Sequence, residues 1–225
     1  MPCNQRPVLI WDVDGTLLAA QSTGRAAMND AFWACYGIAR AFDDLNFAGA
    51  HDHDLWAQAI RRHCNAPPAM SPARFFHAYL QHLQRRLNEA PIPALPGVRE
   101  ILCELTAAGY RLVLGTGNIR AGAYLKLGAV GLANYFPHGG FSMPGATRVD
   151  ILRAALEAVQ PHPTCAIVIG DTPRDVHAAH AINLPIIAIA TGRFSTTDLA
   201  HAGADLVLPS LGHVKRFHEL FHELL

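Results

Sequence analysis

Three short segments carry residue types that do chemistry together. Asp12 and Asp14 stand two apart in Asp12-Val-Asp14-Gly-Thr16, Thr116-Gly117-Asn118 forms a second cluster, and Gly170-Asp171-Thr172-Pro-Arg-Asp175 a third. Two carboxylates so closely spaced, with a third and fourth in another segment, make a hard, oxygen-rich set. Mg²⁺ takes such ligands, usually one or two carboxylates with water and a substrate phosphate. Glycines beside the acids let backbone N–H groups approach phosphate oxygens. An anionic nucleophile meeting a phosphate dianion needs a cation and hydrogen-bond donors before it can approach. Each acid also has a plainer reading. An Asp after a strand caps a turn, and Asp175, three residues beyond Thr172 with Pro173 between, is a natural helix-start partner.

These segments share a context. Apolar runs at 7–11, 111–114, 165–169, 185–189 and 205–208 each end in turn residues. Continuous apolar strands of this kind predict a parallel sheet buried on both faces. Between them lie helical stripes: Val98, Ile101, Leu102 and Leu105; Ile151, Leu152, Ala155, Leu156 and Val159; and Leu211, Val214, Phe217, Phe221 and Leu224. The alternation predicts an α/β fold with a doubly wound, Rossmann-like parallel sheet. Ligands of such sheets bind outside the carboxyl ends of the strands, where the three clusters fall. From about residue 20 to 91 the alternation stops, and only helical patterns appear, one opening at Ser71-Pro72. A Pro-rich stretch, 90–97, leads back. The expected division is a core of residues 1–19 and 92–225 with a helical insert at 20–91.

Asp12-Val-Asp14-Gly-Thr16-Leu resembles the first signature of the haloacid dehalogenase superfamily. Thr116 resembles its second motif, Gly170-Asp171 with Asp175 its fourth, and the insert its helical cap. The match runs along the whole chain and points to the phosphoglycolate phosphatase-like branch. The resemblance implies phosphomonoester hydrolysis through an aspartyl-phosphate. Asp12 would be the nucleophile and Asp14 the acid and base. Mg²⁺ would be held by Asp12, the Asp14 carbonyl, Asp171 and Asp175, while Thr116, Gly117 and Asn118 would bind phosphate. The alternatives are a phosphomutase and a dehalogenase, and the latter has no use for Asp14.

The family's third motif is a lysine before the fourth, and here that stretch, 141–150, has none. Arg148, 23 residues before Asp171, is expected to replace it. Lys126 is the weaker substitute, because a position two to three turns into the helix after Thr116 would carry it away from the strand tips. Gly49, His51 and Asp52 fall where related phosphatases place a substrate-specificity loop.

Other features exclude whole classes. Eighteen basic and 18 acidic residues cancel, and 51% of residues are hydrophobic against 16% charged. That balance argues against nucleic acid, an anionic membrane surface or disorder, and no apolar run is long enough to span a bilayer. The expected partner is a small phosphomonoester, bound by a monomer or homodimer. Five cysteines without a Cys-x-x-Cys pair favour reduced thiols and a cytoplasmic setting. His218-Glu-Leu-Phe-His222 matches a zinc-protease signature but has no downstream third ligand. Similarly, His51-Asp-His-Asp54 lacks a second cluster to complete a metal site.

Overall fold

All five predicted strands form, and a sixth joins them. In chain order they are β1 (Val8–Trp11), β2 (Arg111–Gly115), β3 (His138–Gly140), β4 (Ala166–Gly170), β5 (Ile186–Ile189) and β6 (Leu206–Leu208). The structure, a computed structural model, describes residues 6–64 and 71–223; the side chains of Gln21, His218, Leu220, His222 and Glu223 also lie outside that description. The strands make one parallel sheet in the order β3-β2-β1-β4-β5-β6. The order reverses around β1, so connections leave to opposite sides and open a crevice at the carboxyl ends of β1, β2 and β4.

Alternate residues of each strand face opposite ways. Leu9, Trp11, Leu112, Leu114, Ile167 and Ile169 enter one apolar layer, while Val8, Ile10, Val113, Ala166 and Val168 enter the other. The first layer is covered by α4 (Val98–Ala107), α5 (Arg120–Ala129) and α9 (Val214–Glu223), and the second by α6 (Arg148–Glu157), α7 (Pro173–His180) and α8 (Thr196–His201). Trp11 stacks on Phe217 at 6.3 Å between ring centres, and Phe217 on Phe221 at 5.7 Å. Both phenylalanines are buried, which accounts for the amphipathic stripe of α9. The imidazoles of His218 and His222, and with them the zinc-protease signature, lie outside the described residues.

The short strand β3 was not anticipated. Its sequence, His-Gly-Gly, has little strand preference. The glycines are there for packing: a Cβ on Gly140 would overlap the carbonyl oxygen of Ile151 in α6, and one on Gly139 would crowd Leu114. A glycine inside a strand marks this close approach of a neighbour.

Between β1 and α4 the described chain is helical, as expected: α1 (Gln21–Tyr36), α2 (Asp52–His63) and α3 (Pro72–Glu89). The helix α1 ends on Gly37, whose φ of 69° closes the turn and whose N–H reaches Trp33 O at 2.8 Å. Phe32 on α1 meets Phe75 on α3 edge-on at 6.1 Å, and Arg86 on α3 donates to Asp30 on α1 at 2.7 Å. Ser71 is the N-cap residue of α3, with Pro72 behind it, although its side chain makes no capping bond. Entry to and exit from the helices run side by side: Leu18 bridges Ala94, and Leu95 N donates to Leu17 O at 2.9 Å.

The cysteine expectation fails at one position. Cys165 is disulfide-bonded, whereas Cys35, Cys64 and Cys103 are free. Spacing alone does not show which remote cysteines a fold brings together, so the thiol argument for a cytoplasmic setting does not carry over. Among the described residues, no helix is long and apolar enough to cross a membrane.

Candidate active site

Strand register puts the acids at one level. Trp11 lies beside Leu114 and Ile169, so the residues that follow, Asp12, Gly115 and Gly170, end three adjacent strands together. Asp12 N donates to Ile169 O at 2.9 Å, which ties the turn to β4. Asp12, Asp171 and Asp175 converge there, each offering a carboxylate oxygen within 4.8 Å of the others, and all three are buried. No other group of three such residues could hold a metal ion among the described residues.

Arg148 binds this cluster together. It is the first residue of α6, held in place by a capping box between Thr147 and Asp150. Its guanidinium is not solvated, as a helix start could have left it. It lies 2.8 Å from Asp12 Oδ1 and 2.5 Å from Asp175 Oδ1, and its Nε donates to Asp175 at 2.8 Å. A planar fork is suited to spanning two carboxylates in this way. Asp175 is the helix-start partner expected of it, and it also meets Arg148, which was not expected. Its Oδ2 caps α7, accepting from Thr172 N at 3.1 Å and Thr172 Oγ1 at 2.7 Å, while Oδ1 meets Arg148.

Burial sets the protonation of the cluster. It pushes Asp12 up to about 6, against the pull of Arg148. It raises Asp171 well above the usual carboxylate range, with Asp12 adding to the effect. Burial by itself would lower Arg148, but Asp175 and Asp12 more than offset it and hold the guanidinium charged.

Lys126 stands elsewhere than expected. The helix α5 starts at Arg120, so Lys126 is fewer than two turns in. Helical side chains tilt toward the N-terminus, and this one reaches back to the strand tips. Its Nζ lies 2.6 Å from both Asp14 Oδ2 and Asn118 Oδ1, and the side chain is buried. Arg148 and Lys126 therefore both reach the site, Arg148 at Asp12 and Asp175 and Lys126 at Asp14. Asn118 completes the second group by donating to Asp14 Oδ2 and Thr116 Oγ1, both at 2.8 Å.

The proposed specificity residues divide. Asp52, in the first turn of α2, locks onto the Thr116 loop: its N donates to Gly117 O at 2.8 Å and its Oδ2 accepts from Ile119 N at 2.8 Å. A Cβ on Gly117 would overlap the Ala50 carbonyl, so glycine is required for this contact. Burial raises Asp52 to about 6, with Lys126 opposing. His51 reaches the Ala146 carbonyl at 3.0 Å, and burial holds its imidazole below the ordinary histidine value. Gly49, with φ of 62°, passes close to Thr172, and its carbonyl accepts from Arg174 at 3.2 Å. His53 contacts Ser142 Oγ at 2.9 Å. His51-Asp-His-Asp54 is thus a row of contacts between the helices and the core.

Three contributors escaped sequence reading. Thr191 and Gly192 follow β5, and Thr191 Oγ1 donates to Gly15 O at 2.6 Å. A Cβ on either Gly15 or Gly192 would overlap Asp171 Oδ2, which has no hydrogen-bond partner. The signal available was Ala-Thr-Gly at a strand end, among the types that marked the other clusters. Tyr79 on α3 is fully buried, and its hydroxyl has no partner; in the sequence it looks like any apolar-stripe aromatic.

The comparisons agree with this architecture. A family model described as haloacid dehalogenase-like hydrolase matches residues 9–189. The chain belongs to that family. It is 24% identical over 193 residues to a phosphoglycolate phosphatase of Mesorhizobium japonicum, covering 83% of this chain and 84% of the relative. It is 26% identical over 216 residues to Protein CbbY of Cereibacter sphaeroides, covering 92% and 93%. Among solved structures, CbbY from Rhodobacter sphaeroides in complex with phosphate superposes with a TM-score of 0.71 at 24% identity, covering 93% of this chain and 96% of that one. A hydrolase from Pseudomonas syringae gives 0.72 at 21%, covering 96% and 99%. The enzyme is therefore a hydrolase of this family, and the phosphoglycolate phosphatase-like branch expected from its motifs is the one these relatives represent.

Proposed function

We propose that the chain is a Mg²⁺-dependent phosphatase acting on a small phosphomonoester through an aspartyl-phosphate on Asp12. One observation carries the reading. In a site whose other buried carboxylate oxygens are paired, Asp14 Oδ1 and Asp171 Oδ2 have no hydrogen-bond partner. A hydrolase of this kind needs one oxygen free for proton transfer and one for a cation.

The residues fit a divalent ion. Three clustered carboxyl groups face only the single guanidinium of Arg148, so a cation is needed before all three can ionise. Asp171 Oδ2 projects into a cradle kept clear by Gly15 and Gly192. Asp12, Asp171, Asp175 and the Asp14 backbone carbonyl would hold Mg²⁺, which is preferred over zinc because no Cys or His stands at the strand tips. When bound, it supplies charge neutralisation for the approach of carboxylate to phosphate.

The chain's own groups do the rest. Asp12 attacks phosphorus, and the ester P–O bond breaks as Asp14 gives its proton to the leaving oxygen. Water then attacks phosphorus and yields a proton to Asp14, and the Asp12–phosphorus bond breaks to release phosphate. Lys126 and Asn118 engage Asp14 through Oδ2, which leaves Oδ1 for both transfers. Thr116, Gly117 and Asn118 serve as phosphate donors, and Arg148 balances charge beside Asp12.

Residues 20–91 act as a cap that closes over the core of 1–19 and 92–225 and excludes water. Gly49, His51, Asp52 and His53 are the closing contacts, and the paired linkers near 18 and 94 are the flexing points. The test is phosphate release from small phosphorylated metabolites with Mg²⁺, beside an Asp12→Asn control. A beryllium fluoride adduct is expected on Asp12. Turnover by Asp12→Asn, or an adduct on another side chain, overturns the assignment. Unchanged turnover with the cap crosslinked to the core overturns cap opening.

A further inference from the structure

Next to Asp14 lies a partly enclosed cavity of about 30 Å³, between the cap helices and the Thr116 loop. Its polar wall is Asp14, Asp52, Tyr79, Asn118 and Lys126, and Phe47 and Leu55 add apolar surface. Two unpartnered groups belong to this wall: Asp14 Oδ1, buried, and the hydroxyl of the fully buried Tyr79. Unpartnered buried polar atoms are costly, and a cavity that gathers two of them is built for a polar occupant. A water needs roughly 10–15 Å³ of such space, so the cavity holds about two non-hydrogen groups.

The charge of the wall limits what those groups are. Lys126 is the only cation in it, and at 2.6 Å from Asp14 Oδ2 it is already matched by that carboxylate. What remains is Asp52, a second acid with no cation of its own in the wall. A carboxylate placed here would face Asp52 in a space from which water is largely excluded, where like charges repel strongly. A hydroxyl fits better, since it can accept from Tyr79, which otherwise has no partner, and donate to Asp52, whose carboxylate keeps its bond from Ile119 N.

We infer that this cavity receives the leaving group, and that the preferred substrate is the phosphomonoester of a small, uncharged, hydroxyl-bearing alcohol rather than of a hydroxy acid. This rests on the phosphatase reading above, because it is the proton-transfer role of Asp14 that places the leaving oxygen at this wall. Tyr79 and Asp52 are then specificity residues contributed by the cap.

The deciding comparison uses two esters of nearly equal size, 2-hydroxyethyl phosphate and phosphoglycolate, which differ in carrying CH₂OH or a carboxylate. Acetyl phosphate reports phosphoryl-transfer competence independently of the leaving group, and phosphoethanolamine tests a cationic one. The expected result is a kcat/KM for 2-hydroxyethyl phosphate at least 10-fold above those for phosphoglycolate and phosphoethanolamine. Tyr79→Phe keeps the ring and removes only an unpartnered hydroxyl, so it is expected to fold. It should lower the preference for 2-hydroxyethyl phosphate over phosphoglycolate by about 10-fold, mainly through KM. Asp52→Asn should shift the same ratio toward phosphoglycolate. Hydrolysis of acetyl phosphate with phosphoglycolate or phosphoethanolamine as the better ester overturns the inference and leaves the phosphatase reading standing. A ratio unmoved by Tyr79→Phe and Asp52→Asn overturns the assignment of the cavity. Failure to hydrolyse any of the four overturns the phosphatase reading, and this inference with it.

Discussion

Lys126 and Asp14 form a part-buried ion pair, Nζ to Oδ2 at 2.6 Å, between residues 112 apart in the chain. The lysine thereby sets which oxygen of Asp14 is engaged and which is free. Removing the lysine leaves the carboxylate charge uncompensated in a site partly shielded from water, which costs more than the pair is worth against apolar replacements. Lys126→Met is expected to lower kcat/KM by roughly 100-fold, equivalent to about 2.7 kcal/mol. It should also lower Tm, and the added substitution Asp14→Asn should recover part of that loss. Near-normal steady-state kinetics in Lys126→Met would remove Asp14 from its control.

Arg148 is expected to matter as much, for a different reason. Its Nη2 reaches both Asp12 and Asp175, and its Nε adds a second bond to Asp175. Arg148→Ala should reduce kcat/KM by about 100-fold or more. Arg148→Lys should recover little of this, because an ammonium is a point charge and cannot span both carboxylates. Full rescue by lysine would show that charge alone is needed.

A cation bound at Asp171 must stabilise the fold, since it binds only the assembled cluster. Mg²⁺ should raise Tm in a concentration-dependent way, and EDTA should reverse both this and the activity. Gly192→Ala pushes a methyl into Asp171 Oδ2. It is expected to abolish the Mg²⁺-dependent shift in differential scanning fluorimetry. A variant that retains the shift would place the ion away from Asp171.

Asp52 makes stability depend on pH. Its carboxyl moves from an ordinary 3.8 to about 6 in the folded chain. The folded state therefore binds the proton more tightly than the unfolded state. The stabilising contribution of protonated Asp52 is present below about 4 and is lost as pH rises through about 6. An asparagine side chain at this position would keep an acceptor for Ile119 N without a charge. Asp52→Asn should thus be more stable than the parent at pH 8, by on the order of 2 kcal/mol, with the advantage shrinking toward pH 4. Thermal melts across this range check the sign, and an advantage that grows on acidification would refute it.

Much of this architecture was readable in the chain, for identifiable reasons. Apolar runs ending in turn residues marked five strands, because a doubly covered parallel strand must be apolar on both faces and polar only where it ends. The acids of the first and fourth motifs, with Thr116, could be placed for the same reason. Arg148 was found by its distance from Asp171. The edge strand β3 was missed because glycine serves the packing of α6 there and carries no strand preference. Lys126 was misjudged because counting turns tracks the backbone, whereas a lysine side chain adds several ångströms toward the helix start. The polar character of Tyr79 was hidden, since an aromatic on an apolar stripe looks the same whether or not its hydroxyl faces a cavity.

The side-by-side linkers have a further consequence. Because Leu18 bridges Ala94, the chain leaves the sheet and re-enters it at the same point. The helices between them could be exchanged for another excursion of different length, with the sheet's own connectivity left intact. The groups proposed to act on phosphorus, Asp12, Thr116, Arg148 and Asp171, all lie outside that excursion, whereas Asp52 and Tyr79 lie within it. Inheritance of the reaction and divergence of its targets can therefore proceed separately, with recombination at a single seam enough to give an old hydrolytic centre a new clientele.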